Sequence, residues 1–252
     1  MSRVGVIRLI VIVAAIGLLE LSCQLGFIDY RTVIPPSEMT TVLVRLLASG
    51  ELNSDIVRTL GVVVISVAIS IVLGFALGLL IHAVPRVRRA LDPFFATYYA
   101  VPVFIFYPVM IPIFGLSIIP IVLIAIATAA VAMIIATLNG LDRVPRVLTK
   151  VARVHRMGLL DTAFRLKLPA AAPHLFTGVK LAVSYGFIAV IASEFILAPA
   201  GLGHAINEAY SNFNNRQMYA LILLLLAFAT CVNMALHAWD QRWSARRGVR
   251  PP

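Results

Sequence analysis

The stretch Ile56–Val84 reads IVRTLGVVVISVAISIVLGFALGLLIHAV. It is an apolar run long enough to cross a bilayer as a helix, which takes about 20 residues at a rise of about 1.5 Å each. Working outward, five more such runs follow, at roughly Val4–Ile28, Leu91–Phe114, Ile118–Leu138, Phe176–Ala198 and Met218–Trp239. A membrane barrel would need alternating segments of about ten residues, and these are absent. The expected fold class is all-α, a polytopic membrane protein with six transmembrane helices. The third run carries Pro102, Pro108 and Pro112. It should be bent or broken, which a bilayer tolerates only where neighbouring helices or water satisfy the freed backbone groups.

Composition agrees. Of 252 residues, 61% are hydrophobic and 13% charged, and the mean hydropathy is +0.97. A soluble domain is nearer half apolar and a quarter charged. A soluble enzyme, a disordered chain and a collagen-like fibre are excluded, and no room remains for a large soluble domain. Cys23 and Cys231 both lie in apolar runs and carry no information on redox compartment.

The net charge is +10, from 21 Lys and Arg against 11 Asp and Glu. With six spans and the N-terminus inside, sixteen of the 21 basic residues fall on inner segments and four on outer ones, with Lys180 inside the fifth run. Basic residues are retained on the cytoplasmic side, so both termini are expected there. This accounts for the charge without nucleic acid. The basic tail 241–252 also suits contact with anionic lipid. The N-terminal run resumes past Glu20 without a small-x-small cleavage site, so it reads as a retained span.

Residues 1–55 are read as the first span plus an outer segment. In that segment Met39, Val42, Leu43, Leu46 and Leu47 have helical spacing, as for an amphipathic helix at the interface. Residues 56–240 are read as the core.

The chain has no Gly-x4-Gly-Lys-Ser/Thr phosphate loop, so it is not expected to hydrolyse ATP itself, and it holds no cofactor or catalytic pattern. Its five histidines are scattered and do not suggest a metal site. Glu194 and Glu20 are the acids within spans. An intramembrane acid is a functional candidate by default. The alternative for Glu194 is a place near the outer interface, partnered by a backbone amide or solvent, and Glu20 is read in that structural way. Gly74 and Gly78 form a Gly-x3-Gly pair that permits close helix packing. Asn139-Gly140 reads as the stop of the fourth span.

The inner loop 139–175 is long and basic. A helix is expected from Arg146 to about His155, and another from Asp161 to Leu168 after a break near Gly158. Pro169 and Pro173 then lead into the fifth span. The loop is either a solvated amphipathic element resting on lipid or a docking element for a cytoplasmic partner.

At this loop the sequence resembles the membrane subunits of ABC importers, the binding-protein-dependent permeases. Their signature is Glu-Ala-Ala-x3-Gly, about nine residues, then Ile-x-Leu-Pro. Here Lys150-Val151-Ala152-Arg153 stands at the triplet and Leu166-Lys167-Leu168-Pro169 at the end. Lys150 replaces the acid. Arg156 stands at the glycine position with Gly158 two residues on, as a locally shifted turn would explain. Asp55 with Arg58-Thr59-Leu60, the prolines of the third run, and Glu194 followed by Gly201-Leu202-Gly203 also resemble the family, over roughly residues 36–240. The likeness is greatest to the branch handling nitrate, sulfonates, taurine, bicarbonate, aromatic acids and thiamine precursors.

The resemblance implies a type I ABC importer permease fold in the bacterial cytoplasmic (inner) membrane. It implies a second permease subunit, two cytoplasmic ATPase subunits holding ATP and Mg, and an extracytoplasmic substrate-binding protein. The ATPase-docking coupling loop would use Lys150, Val151, Ala152, Arg153, Arg156, Met157, Gly158 and Pro169, with Val151, Ala152 and Met157 as buried anchor. Pro102, Pro108, Glu194, Gly201, Leu202 and Gly203 are candidates for pathway and outer gate. Tyr98, Tyr99, Phe104, Phe106 and Tyr107 either line a passage or simply pack. A self-sufficient secondary transporter or channel is the alternative. It would need ion-coupling residues in the spans, which are few.

Overall fold

The computed structural model describes residues 3–29, 32–158 and 161–246. Residues 159–160 of the inner loop and 247–252 of the basic tail lie outside them. Among the described residues every regular element is helical. In order they are α1 (Arg3–Gln24), α2 (Pro36–Ser49), α3 (Asn53–Ala83), α4 (Pro85–Thr97), short 3-10 turns at Tyr98–Ala100 and Val103–Phe106, and α5 (Tyr107–Phe114). Then come α6 (Ile118–Asp142), α7 (Arg146–Val154), a π-helical stretch at Thr162–Lys167, α8 (Leu168–Leu197), α9 (Leu202–Ser211) and α10 (Asn215–Arg246).

Among the described residues four helices are long and apolar enough to cross a membrane: Asn53–Ala83, Ile118–Asp142, Arg165–Ile196 and Asn215–Arg242. The proline-rich run is broken as expected. Its halves, Pro85–Ala100 and Val103–Phe114, meet at 83° and together make a fifth span if counted as one. The helix α1 is 22 residues long.

The helix α6 is the centre of the molecule, clasped along its length by α3 and α8. The helix α3 turns one stripe inward, formed by Thr59, Val62, Val63, Ser66, Val67, Ser70, Gly74 and Gly78. That is the period of about 3.6 expected of one helix face. Lipid tails are as apolar as leucine, so such helices associate through close packing of small residues. A β-carbon on Gly74 would fall 2.6 Å from the Ala130 carbonyl oxygen, and one on Gly78 would fall 2.7 Å from Thr137 Cβ. On α8, Gly178 is as close to Ala136 and Gly186 to Val67. Two of the buried hydroxyls are satisfied within their own helices, Ser70 donating to the Ser66 carbonyl and Thr137 to the Met133 carbonyl, both at 2.7 Å.

The outer helices are held by polar contacts. Glu20 accepts from the backbone N–H of Ser37 at 3.0 Å and from its hydroxyl at 2.7 Å, so it ties the end of α1 to the start of α2. The helix α2 lies on α10, where Arg216 Nε meets Glu38 Oε1 at 3.0 Å. At the far end of the bundle Arg88 binds the Asp142 carboxylate. There Lys180 Nζ also meets Asp240 Oδ2 at 2.5 Å, joining α8 to α10.

Three local expectations are corrected. Asn139-Gly140 does not stop the fourth span, because α6 continues to Asp142. Gly140 is instead a packing notch, where a β-carbon would fall 3.0 Å from that of His174. Pro169 and Pro173 do not precede the fifth span but lie inside α8. The second loop helix is not separate either. It is the π-helical stretch, which runs straight into α8, with Leu168 N–H bonded to the Ala163 carbonyl.

Candidate functional site

The site candidates fall into two groups at opposite ends of α8. At one end, Glu194 and Gly201-Leu202-Gly203 come together as a single junction, and all four are buried. The first N–H groups of a helix have no partner within it. Here α9 begins at Leu202, and three successive N–H groups are each taken by a side chain. Gly201 N–H donates to Asp55 Oδ1 at 2.8 Å, Leu202 N–H to Thr59 Oγ1 at 2.9 Å, and Gly203 N–H to Glu194 Oε2 at 3.1 Å. The Thr59 hydroxyl in turn donates to the Glu194 carboxylate, 2.8 Å from Oε2. Two carboxylates at a helix N-terminus also suit its positive end.

Gly201 has φ +116°. A β-carbon there would fall 2.5 Å from the Glu194 carboxyl group, and one on Gly203 would fall 2.5 Å from the Ile191 carbonyl oxygen. The Gly-Leu-Gly sequence lets the backbone close onto the acid. Glu194 is fully buried and, as its structural reading anticipated, is partnered by a backbone amide, that of Gly203. Asp55 and Thr59 supply half of the junction. Their signal was a one-turn spacing on the face of α3 that also carries Val62 and Ser66.

Pro102 and Pro108 do not join this junction. Both are exposed, Pro102 before the turn Val103–Phe106 and Pro108 in the first turn of α5. They mark the bend. From that segment Tyr107 is fully buried beside Val62, Ile121 and Val190. Tyr98 instead donates to the Ala127 carbonyl at 3.0 Å, and Tyr99 stacks on Tyr185 with ring centres 4.8 Å apart.

At the other end lies the loop. The helix α7 packs on the π-helical stretch, and Ala152 is 3% exposed. Ala152 is therefore interior to the loop itself. Val147, Val151 and Val154 are 65%, 38% and 80% exposed. Their spacing of four and three residues sets them in one stripe along α7. Lys150, Arg153, Arg156, Gly158 and Pro169 are exposed and Met157 is half-buried.

The turn after α7 is not shifted. Arg156 itself takes the left-handed conformation, φ +50°, and Gly158 does not. Arg156 N–H bonds the Arg153 carbonyl at 3.1 Å and Met157 N–H bonds the Ala152 carbonyl at 2.9 Å. This is the Schellman termination, whose left-handed residue is most often glycine. The arginine occupies a glycine conformation.

Among the described residues no group of His, Cys, Asp and Glu is placed to hold a metal ion.

Comparison with known proteins places these features in a family. The model of the binding-protein-dependent transport system inner membrane component matches residues 40–245. The nitrate import permease protein NrtB of Leptolyngbya laminosa is 30% identical over 184 residues, covering 73% of this chain. The bicarbonate transport system permease protein CmpB of Synechococcus elongatus is 28% identical over 184 residues, covering 71%. In both cases the match spans 64% of the relative's own length. A probable ABC transporter permease protein of Brucella abortus is 27% identical over 225 residues, covering 85% of this chain and 87% of that one. Among solved structures, an inward-facing MetNI methionine ABC transporter shares the fold with a TM-score of 0.67 at 17% identity. That match covers 76% of this chain and 95% of the other.

Proposed function

Because the chain belongs to the family of binding-protein-dependent transport system inner membrane components, we propose that it is the permease subunit of an ABC importer of the nitrate and bicarbonate type. It is a multi-pass protein of the inner membrane, and the chemistry of ATP hydrolysis belongs to a partner. In this reading α1 completes six passes with both termini in the cytoplasm. Two copies enclose the pathway, two ATPase subunits holding ATP and Mg sit beneath, and a binding protein delivers a small solute from outside.

The observation that carries the reading is the exposed valine stripe of α7. An apolar stripe beside Lys150 and Arg153 on a helix projecting from the bundle is unfavourable in water and suits burial in a partner's groove. The anchor is then Val147, Val151 and Val154, with Ala152 holding the loop together from inside. A rim of Arg153 and Arg156 would contribute orientation more than affinity.

ATP closes the ATPase pair, and the loop moves with it. Such coupling requires ATP and solute each to favour one state. The test is a mild-detergent pull-down of the tagged subunit with identification of what copurifies. An ATPase carrying a phosphate loop and the ABC signature is expected. A subunit that purifies alone and transports in vesicles without ATP would overturn the reading.

A further inference from the structure

Between α6 and α8, toward the α7 end, lies a cavity of about 220 Å³. Asn139 faces it from the last turn of α6 and Arg143 from just beyond the end of that helix. His174 and Thr177 face it from α8, and Tyr99 and Tyr185 close it. The two tyrosines are stacked, 18° from parallel, so the broken span and α8 share one wall of the site.

We infer that this cavity is a binding site for a small oxyanion or carboxylate, held by Arg143 and His174. Three observations point that way. First, no carboxylate lines the cavity. Second, Arg143 forms no ion pair among the described residues. The adjacent acid, Asp142, is turned to Arg88 and lies 3.5 Å from His82. The guanidinium is left as an unneutralised fork of donors, the geometry that receives oxyanions in pairs. Third, the other polar side chains here supply groups able to donate. An amide, an imidazole and a hydroxyl line the same cavity as the cation, and the stacked tyrosine pair gives a flat wall.

The site deepens the importer reading and rests on it for its place near the inner end of a pathway. The same chemistry could be met by a solute in transit or by a phospholipid headgroup. The closing experiment separates the two.

The complete complex is reconstituted in nanodiscs with Thr177→Cys on a Cys23→Ser, Cys231→Ser background. The thiol is labelled with sulfonate-bearing and trimethylammonium-bearing methanethiosulfonates, with rates normalised to free cysteine. The anionic reagent should react about 5-fold faster or more, the focusing expected of a cationic cleft. Arg143→Gln should remove that preference, and Arg143→Lys should keep most of it. In neutral phosphatidylcholine discs, added nitrate, bicarbonate or sulfate should slow labelling if free anions occupy the site. Slowing only when phosphatidylglycerol is present would assign the same oxyanion chemistry to lipid. Equal rates for the two reagents, or a preference unchanged by Arg143→Gln, would overturn the inference. Retention of the ATPase on the discs is scored separately. Its loss counts against the importer reading, while a retained ATPase with no charge preference counts against this site alone.

Discussion

The carboxyl carbon of Glu194 lies 2.5 Å from where a β-carbon on Gly201 would sit. Acid and glycine interlock, and the Glu194–Gly203 contact joins α8 to the start of α9. Thr59 links both to α3.

Gly201→Ala is therefore expected to be severe. It adds positive-φ backbone strain of roughly 1–3 kcal/mol and displaces a buried, fully bonded acid. The loss should exceed about 3 kcal/mol, in the tail of single-substitution effects. Gly115→Ala is the control, because Gly115 is also left-handed, at φ +70°, but has open space around it. Thermal unfolding in detergent should show the Gly201 variant losing much more than the Gly115 variant. Equal losses would mean that the interlock with Glu194 contributes nothing.

Arg156 is a natural position for stabilisation. Replacing it with glycine relieves about 1 kcal/mol of left-handed strain, so Arg156→Gly should slow proteolysis of the loop. Arg156→Val should speed it, because a β-branched residue tolerates that conformation least. The order Gly, Arg, Val in protease half-life is the expected result.

Ala152 and Val154 should behave differently, although they are only two residues apart. Val154→Asp leaves folding intact, since the side chain is 80% exposed. It should nonetheless reduce ATPase copurification about 10-fold, a loss of about 1.4 kcal/mol. Ala152→Asp places an unpaired charge inside the loop and should lower both copurification and the melting temperature. Full ATPase retention by Val154→Asp would remove the valine stripe from the docking surface.

The glycine notches allow a matched pair. Gly78→Ala places a methyl 2.7 Å from Thr137 Cβ, and overpacking of this kind costs roughly 1–3 kcal/mol. Gly61→Ala, on the same helix, meets nothing within 4 Å and should be neutral or slightly stabilising, since alanine is the better helix former. Melting temperatures in one detergent should move in opposite directions, or only the Gly78 variant should fall.

Much of the fold was legible because bilayer crossing imposes long apolar runs. The runs around α3, α6, α8 and α10, and the break in the third, follow from length and proline placement alone. What was misjudged was the meaning of single punctuating residues. Gly140 reads as a stop only if its neighbour is solvent, and its neighbour is His174. Pro173 reads as a boundary only if the helix stops there, and α8 runs on through it. The junction was half legible. Glu194 and Gly201-Leu202-Gly203 stood out, but their partners Asp55 and Thr59 lie about 140 positions away, and nothing local pairs them. The role of Ala152 was hidden for the same reason, since a small apolar residue on an amphipathic helix can face either the partner or its own loop.

The helix α8 has a mechanical consequence. It carries the proposed docking loop at one end and Glu194 near the other, through 30 residues without interruption. At about 1.5 Å per residue that is a rod of roughly 45 Å, so a tilt of about 10° pivoting at the loop sweeps the far end through roughly 8 Å. Leverage of this kind needs no chain of altered contacts through the membrane. A rod carries such a displacement whole, and at its far end the Glu194–Gly203 hydrogen bond couples α8 to the start of α9, while Asp55 and Thr59 hold the same backbone to α3.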